Sequence, residues 1–241
     1  MAAGRAALLD VLTEEAFDLD PARVRTVYNG IDTETFRPLP GVERRPDKLL
    51  YVGNSEDRNK GARFFLEAVN LLKDELDFRV TFVDNEKWLL KLAPRLVNQY
   101  GLNSIIDFTG RVPTPDLVRH YNEARLFVTS SVHEGFGLPL AEALACGTPA
   151  VATEIGAYRE IAEHGAQAWL VPPRDPRALA VAIRALWRDD ALRERLGAAG
   201  RQRIVDTFNW RKAAEETVAV YEEVMPLKRR SYAGSGAAHA R

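Results

Sequence analysis

Two glutamates, Glu134 and Glu142, stand at the ends of the stretch "EGFGLPLAE", a spacing of the form E-x7-E. Gly135 and Gly137 flank Phe136, and Leu138 opens a short apolar run that reads as a helix ended by Gly147. A carboxylate accepts hydrogen bonds from sugar hydroxyls and is a poor partner for phosphate. Glycine lets a ligand come close to the backbone. The start of a helix offers free N–H groups and a partial positive charge, which suit phosphate. One kind of ligand satisfies all three features: two sugars around a diphosphate, as in a nucleotide-sugar. One glutamate would take the ribose and the other the transferred sugar. The alternative reading is that both acids are solvated and the glycines only turn the chain.

A second loop, "VGNSEDRNKGARFF" at 52–65, carries Gly53, Asn54, Arg58 and Lys60. Lys60 adjoins Gly61 where a helix should begin, so its ammonium could meet a phosphate in a charge-assisted contact. Arg58 adds a bidentate fork. The competing reading pairs both cations with Glu56 and Asp57 on the surface, where such pairs contribute little.

These loops need a frame, and the sequence supplies one. Short apolar, β-rich runs at 48–53, 78–84, 105–110, 125–131, 149–154 and 166–172 alternate with segments of helical spacing. Helices are expected at 61–76, up to about Tyr100, at 114–124, 139–146 and 158–164, and then through to about Met225. This pattern predicts the α/β class: a single Rossmann-like domain with a six-stranded parallel sheet, helices on both faces and further carboxy-terminal helices. Ligands of such sheets bind beyond the carboxyl ends of the strands. The loops "GNSEDRNKG", "GRVP", "SSVHEGFG" and "TEIGAY" all follow strands and so share one rim.

Composition narrows the classes. The 241 residues suit one large domain. A formal net charge of -1 gives no bulk basic field for nucleic acid or an anionic membrane. With Cys146 as the single cysteine, an internal disulfide and a cysteine-rich zinc site are both excluded. No apolar run approaches spanning length, and the start is a poor signal peptide, so a cytoplasmic chain is expected, with peripheral membrane contact left open.

Together, "GN…NKG", "EGFGLPLAEALACGTPAV" and "REIAEHG…WLVPPRDPRALAVAI" resemble the carboxy-terminal, nucleotide-sugar-binding half of retaining GT-B glycosyltransferases of family four. "VYNGIDTETFRP" is similar to the linker before that half. The resemblance implies transfer of a sugar from a UDP- or GDP-linked donor to an acceptor hydroxyl with retention, and no metal or other cofactor. It implies that Glu142 binds ribose hydroxyls and Glu134 the donor sugar. Backbone N–H groups around Gly135, Phe136, Gly137 and Leu138 would touch sugar and phosphates. Lys60 would neutralise the diphosphate leaving group. Gly53 and Asn54 would border the phosphates, and Arg111 and Val112 of "GRVP" the base. One departure stands out: the family usually places an arginine where this chain has Asn54, so Arg58 is expected to replace that charge or phosphate stabilisation is weaker.

The expected organisation is a lead-in at 1–47, a donor-binding domain at 48–208, a crossing helix at 209–226 and a disordered tail at 227–241. A lead-in this short is too small for the acceptor domain of a GT-B enzyme. The chain therefore reads as a half that binds donor and needs a separate acceptor domain or subunit, with any membrane contact made through that half. Two other classes compete: a non-catalytic assembly subunit, and a nicotinamide-dependent oxidoreductase. Asp84 could supply the acid of the latter, but "GNSEDRNKG" is not G-x-G-x-x-G. Several tempting residues have plainer readings. Asp18-Leu19-Asp20 reads as a turn, His133 as loop packing, and His120 and His164 as surface groups on helices. Cys146 reads as a small buried hydrophobe, and Trp169, Trp187 and Trp210 as packing residues.

Overall fold

Strands made almost wholly of apolar residues bury both faces, which calls for helices above and below them. The structure, a computed structural model, describes residues 24–84 and 91–225. Among these, six strands form one parallel sheet: β1 Lys48–Val52, β2 Arg79–Val83, β3 Ile106–Phe108, β4 Leu126–Val128, β5 Ala150–Thr153 and β6 Trp169–Val171. The order across the sheet is β3-β2-β1-β4-β5-β6. All six expected strands are present, each shorter than its apolar run. At β4 the reason is visible: Thr129, Ser130 and Ser131 leave the strand and turn their hydroxyls into a polar cluster at the rim.

The helices are α1 Ala62–Leu72, α2 Leu92–Tyr100, α3 Thr114–Glu123, α4 Leu138–Ala145, α5 Gly156–Ile161, α6 Pro176–Arg188, α7 Asp190–Thr207 and α8 Trp210–Val224. Alternate strand residues serve opposite layers. Leu49, Tyr51, Leu126, Val128 and Val151 pack with Phe65, Leu66 and Val69 of α1 and Leu179, Ile183 and Leu186 of α6. Leu50, Phe127, Ala150 and Ala152 pack with Tyr121 of α3, Leu140 and Leu144 of α4, and Tyr158 of α5. The first layer buries wide aliphatic and aromatic side chains. The second is rich in alanine, and α7 comes close to α4 through Gly197 and Gly200: a Cβ on Gly197 would lie 2.4 Å from the Gly147 carbonyl oxygen.

From Val24 the lead-in is laced onto the domain. Ile31 bridges Asn209, Leu39 donates its N–H to Asn122, and Arg201 donates to the carbonyls of Phe36 and Ala145. A Cβ on Gly30 would sit 2.5 Å from the Trp210 backbone.

Four readings need correction, the first being His133, which is exposed on its loop and not packed. Trp210 is 59% exposed, because it opens a helix of which only Ala213 is buried. His164 lies beyond the end of α5, in a turn where its Nδ1 meets the backbone of Leu170. His120 is half-buried with its Nδ1 2.8 Å from the Nζ of Lys48, a lysine that also pairs with Glu123 at 2.9 Å. The Asp18-Leu19-Asp20 motif and the tail at 227–241 lie outside the described residues.

Candidate functional site

The strand order switches between β1 and β4, the place where ligands of such sheets bind, and the loops that follow these two strands meet at the carboxyl edge. Both loops singled out in the sequence rise there. The first leaves β1 through Gly53, whose N–H donates to the Val83 carbonyl, and is then folded by its own polar side chains. Asn54 accepts from the Glu56 N–H and Asp57 from the Asn59 N–H. Asp84, at the end of β2, accepts from the Ser55 N–H through both oxygens at 3.1 Å. The loop ends in a 3-10 turn, Arg58–Lys60, and Gly61, which has φ 63° and is pressed against the second loop. A Cβ there would lie 2.0 Å from the Ser130 carbonyl oxygen, so no other residue fits without movement.

The second loop, after β4, is fixed by hydroxyls. Ser130 donates to the Gly61 carbonyl at 2.9 Å, Ser131 donates to Glu134 at 2.7 Å, and the Tyr158 hydroxyl lies 2.9 Å from that of Thr129. Gly137, at φ 107°, ends the loop and begins α4; a Cβ on it would collide with the Tyr158 ring at 2.4 Å. No side chain caps α4, so its first N–H groups face the rim uncapped.

Here the structure joins Lys60 to Glu134. The Lys60 Nζ is 2.8 and 2.9 Å from the two Glu134 oxygens, and Tyr158 donates to the same carboxylate at 3.3 Å. Both side chains are largely shielded, so the pair is screened less than a surface pair. The surface pairing of Lys60 with Glu56 or Asp57 does not form: Glu56 instead accepts from the N–H groups of Lys91 and Leu92.

Glu142 sits one turn into α4, a helix otherwise made of Leu, Pro and Ala. The buried Tyr121 hydroxyl donates to it at 2.9 Å. Burial raises its pKa to about 7, and the tyrosine hydrogen bond opposes that rise. The remaining expected residues are spread along the rim. Phe136 is half-buried with its ring centroid 5.8 Å from that of Phe208, Gly135 and Leu138 are exposed, Val112 packs on the core and Arg111 faces solvent. Arg58 is also exposed, and among the described residues no hydrogen bond or ion pair joins its side chain to Lys60 or Glu134.

Three site residues were not singled out in sequence. Tyr121, Tyr158 and Ser131 hold the two glutamates, yet the tyrosines read as apolar positions of helices and the serine as a strand end. A phenol on the buried face of a helix needs a partner, and that need was the available signal.

The model of the "Glycosyl transferases group 1" family matches residues 32–203. The chain is 32% identical to the MMP alpha-(1->4)-mannosyltransferase of Mycolicibacterium hassiacum over 222 residues, which cover 90% of this chain and 52% of that protein. It therefore spans about half the length of that relative. The C-terminal domain of a group 1 glycosyltransferase from Francisella tularensis superposes with a TM-score of 0.67 at 26% identity, covering 75% of this chain and all of that one. The Anabaena protein HepE, solved with UDP and glucose, shares the fold at a TM-score of 0.70 and 19% identity, over 83% of this chain and 56% of its own.

Proposed function

The chain belongs to the group 1 glycosyltransferases, and from that premise we propose that it is the donor-binding half of a retaining enzyme, moving a sugar from a nucleotide-sugar to an acceptor hydroxyl. The carrying observation is the meeting of Lys60 and Glu134, 74 residues apart in sequence, beside the uncapped start of α4. A nucleotide-sugar has the matching groups in the matching order. Its diphosphate lies on the α4 N–H groups and Lys60, its transferred sugar donates to Glu134, and its ribose donates to Glu142. The contact between Lys60 and Glu134 holds the lysine in place before the donor arrives. As the glycosidic bond breaks, negative charge grows on the leaving diphosphate, and a fixed ammonium stabilises that state more than the ground state. Glu134 is the hydroxyl acceptor, oriented for this role by Ser131 and the lysine. The nucleotide complex of the distant Anabaena protein supports a UDP-type donor.

The transfer step needs donor and acceptor held together, an effect that can be worth about 7–11 kcal/mol. The chain alone is therefore a binder of donor and not a transferase, and an acceptor half, in the same polypeptide or in another, completes the enzyme. Titration calorimetry against a panel of UDP- and GDP-sugars should show saturable binding that Lys60→Ala and Glu134→Gln both weaken. A chain that binds none of them sinks the reading. Sugar transfer by the lone chain would instead overturn the assignment of inactivity.

A further inference from the structure

Behind the Lys60 loop lies a second recess, of about 470 Å³, that does not include Lys60 or Glu134. Three guanidinium-bearing residues line it: Arg58, Arg63 and Arg174. They come from three separate segments, the 3-10 turn after β1, the first turn of α1 and the loop between β6 and α6. All three are exposed. Among the described residues, Arg58 and Arg174 have no carboxylate within ion-pair distance, and Arg63 has only Glu67 at a long 3.7 Å. One acid, Asp57, also lines the recess, and its Oδ1 accepts from the Asn59 N–H.

Two further features single this place out. Ser55 lines the recess, is 1% exposed, and its hydroxyl has no hydrogen-bond partner among the described residues. A buried hydroxyl left without a partner is costly, and few are tolerated. Arg174 is the one described non-glycine residue at positive φ, 61°. A long side chain held in that conformation costs energy that glycine would not incur, and such outliers gather at binding sites. Gly61 and Ala62, where α1 begins without a side-chain cap, line the same recess.

We propose that this recess binds a phosphomonoester dianion, separate from the diphosphate of the donor. Three guanidinium groups exceed what a monoanion needs and match the two negative charges of a monoester, with forks that suit its oxygens. Phe64 and Val132 give the recess an apolar wall for the ester's carbon body. The separation from the donor side is structural. Val132 donates its N–H to the Asn59 carbonyl at 2.8 Å and Gly61 is pressed on Ser130, so the two loops are closed against each other at the edge of the recess.

The test is an amide NMR titration of the chain at pH 7.5 with inorganic phosphate and with phenyl phosphate, each with and without saturating UDP. Saturable shifts are expected at Ser55, Ala62, Arg63 and Arg174, tighter with phenyl phosphate and surviving UDP. Arg174→Gly should weaken binding at least tenfold while leaving the melting temperature equal or higher, because it also relieves the backbone. Arg63→Ala should weaken it comparably. The absence of saturable shifts, their loss when UDP is present, or unchanged affinity in both variants overturns the proposal. None of these readings requires that the chain bind a nucleotide-sugar.

Discussion

Glu142 carries the clearest consequence at the scale of single residues. In the folded chain its carboxyl holds a proton up to about pH 7, because burial penalises the anion. In the unfolded chain the proton leaves near the ordinary value of about 4.3. Between those values the folded state binds more protons, so stability falls as pH rises through that window and is level above it. The fall should be on the order of 3–4 kcal/mol. Glu142→Gln removes this slope, so melting curves of the variant should lie above those of the parent at pH 8 and converge with them near pH 4. The same change should weaken donor binding at pH 8 by about 1.5–3 kcal/mol, the worth of a charged hydrogen bond. A variant neither stabilised nor weaker in binding would show that the carboxylate does not sit as described. Cys146 makes the opposite case: its thiol is fully buried and pushed up to about 12 by burial and the nearby Glu142. It should resist a thiol reagent in native buffer and react fully in denaturant.

At the scale of elements, the site depends on two loops being locked before any ligand arrives. Gly61 is the lock on the first, since its positive φ and its contact with Ser130 both exclude a side chain. Gly61→Ala should cost about 2–4 kcal/mol by chemical denaturation, combining left-handed strain with overpacking. It should also reduce donor affinity by parting Lys60 from Glu134. The strands and these loops were legible in the sequence because apolar period and glycine position are local signals. The Lys60–Glu134 pair was not, since only the strand order brings the loop after β1 beside the loop after β4. Tyr121 and Tyr158 were hidden for a related reason: in a helical pattern a buried tyrosine counts as apolar, and its hydroxyl's partner lies on another element. His164 was misplaced because "YREIAEH" keeps a helical composition after the backbone has already turned out at Ala162.

For the whole molecule, the uneven surface of α8 matters most. Val218, Tyr221 and Val224, with Met225 just past the helix end, are each more than half exposed, and the helix has one buried residue. We propose that these side chains of α8 form the face that meets an acceptor half. Val218→Asp with Tyr221→Asp should leave melting temperature and donor binding unchanged, since neither residue supports the sheet. Joined to an acceptor half, the same pair should impair transfer. No described helix is long and apolar enough to cross a membrane. The lead-in and α8 also share a corner: Ile31 bridges Asn209, Gly30 abuts Trp210, and Arg25 pairs with Glu223. The described residues thus begin and end at one corner. A short peptide stitched from Met225 back to Val24 should close this stretch into a ring, and new ends cut at an exposed bend such as Gly41 should leave a permuted chain that still folds, as circular dichroism and a cooperative melt would reveal.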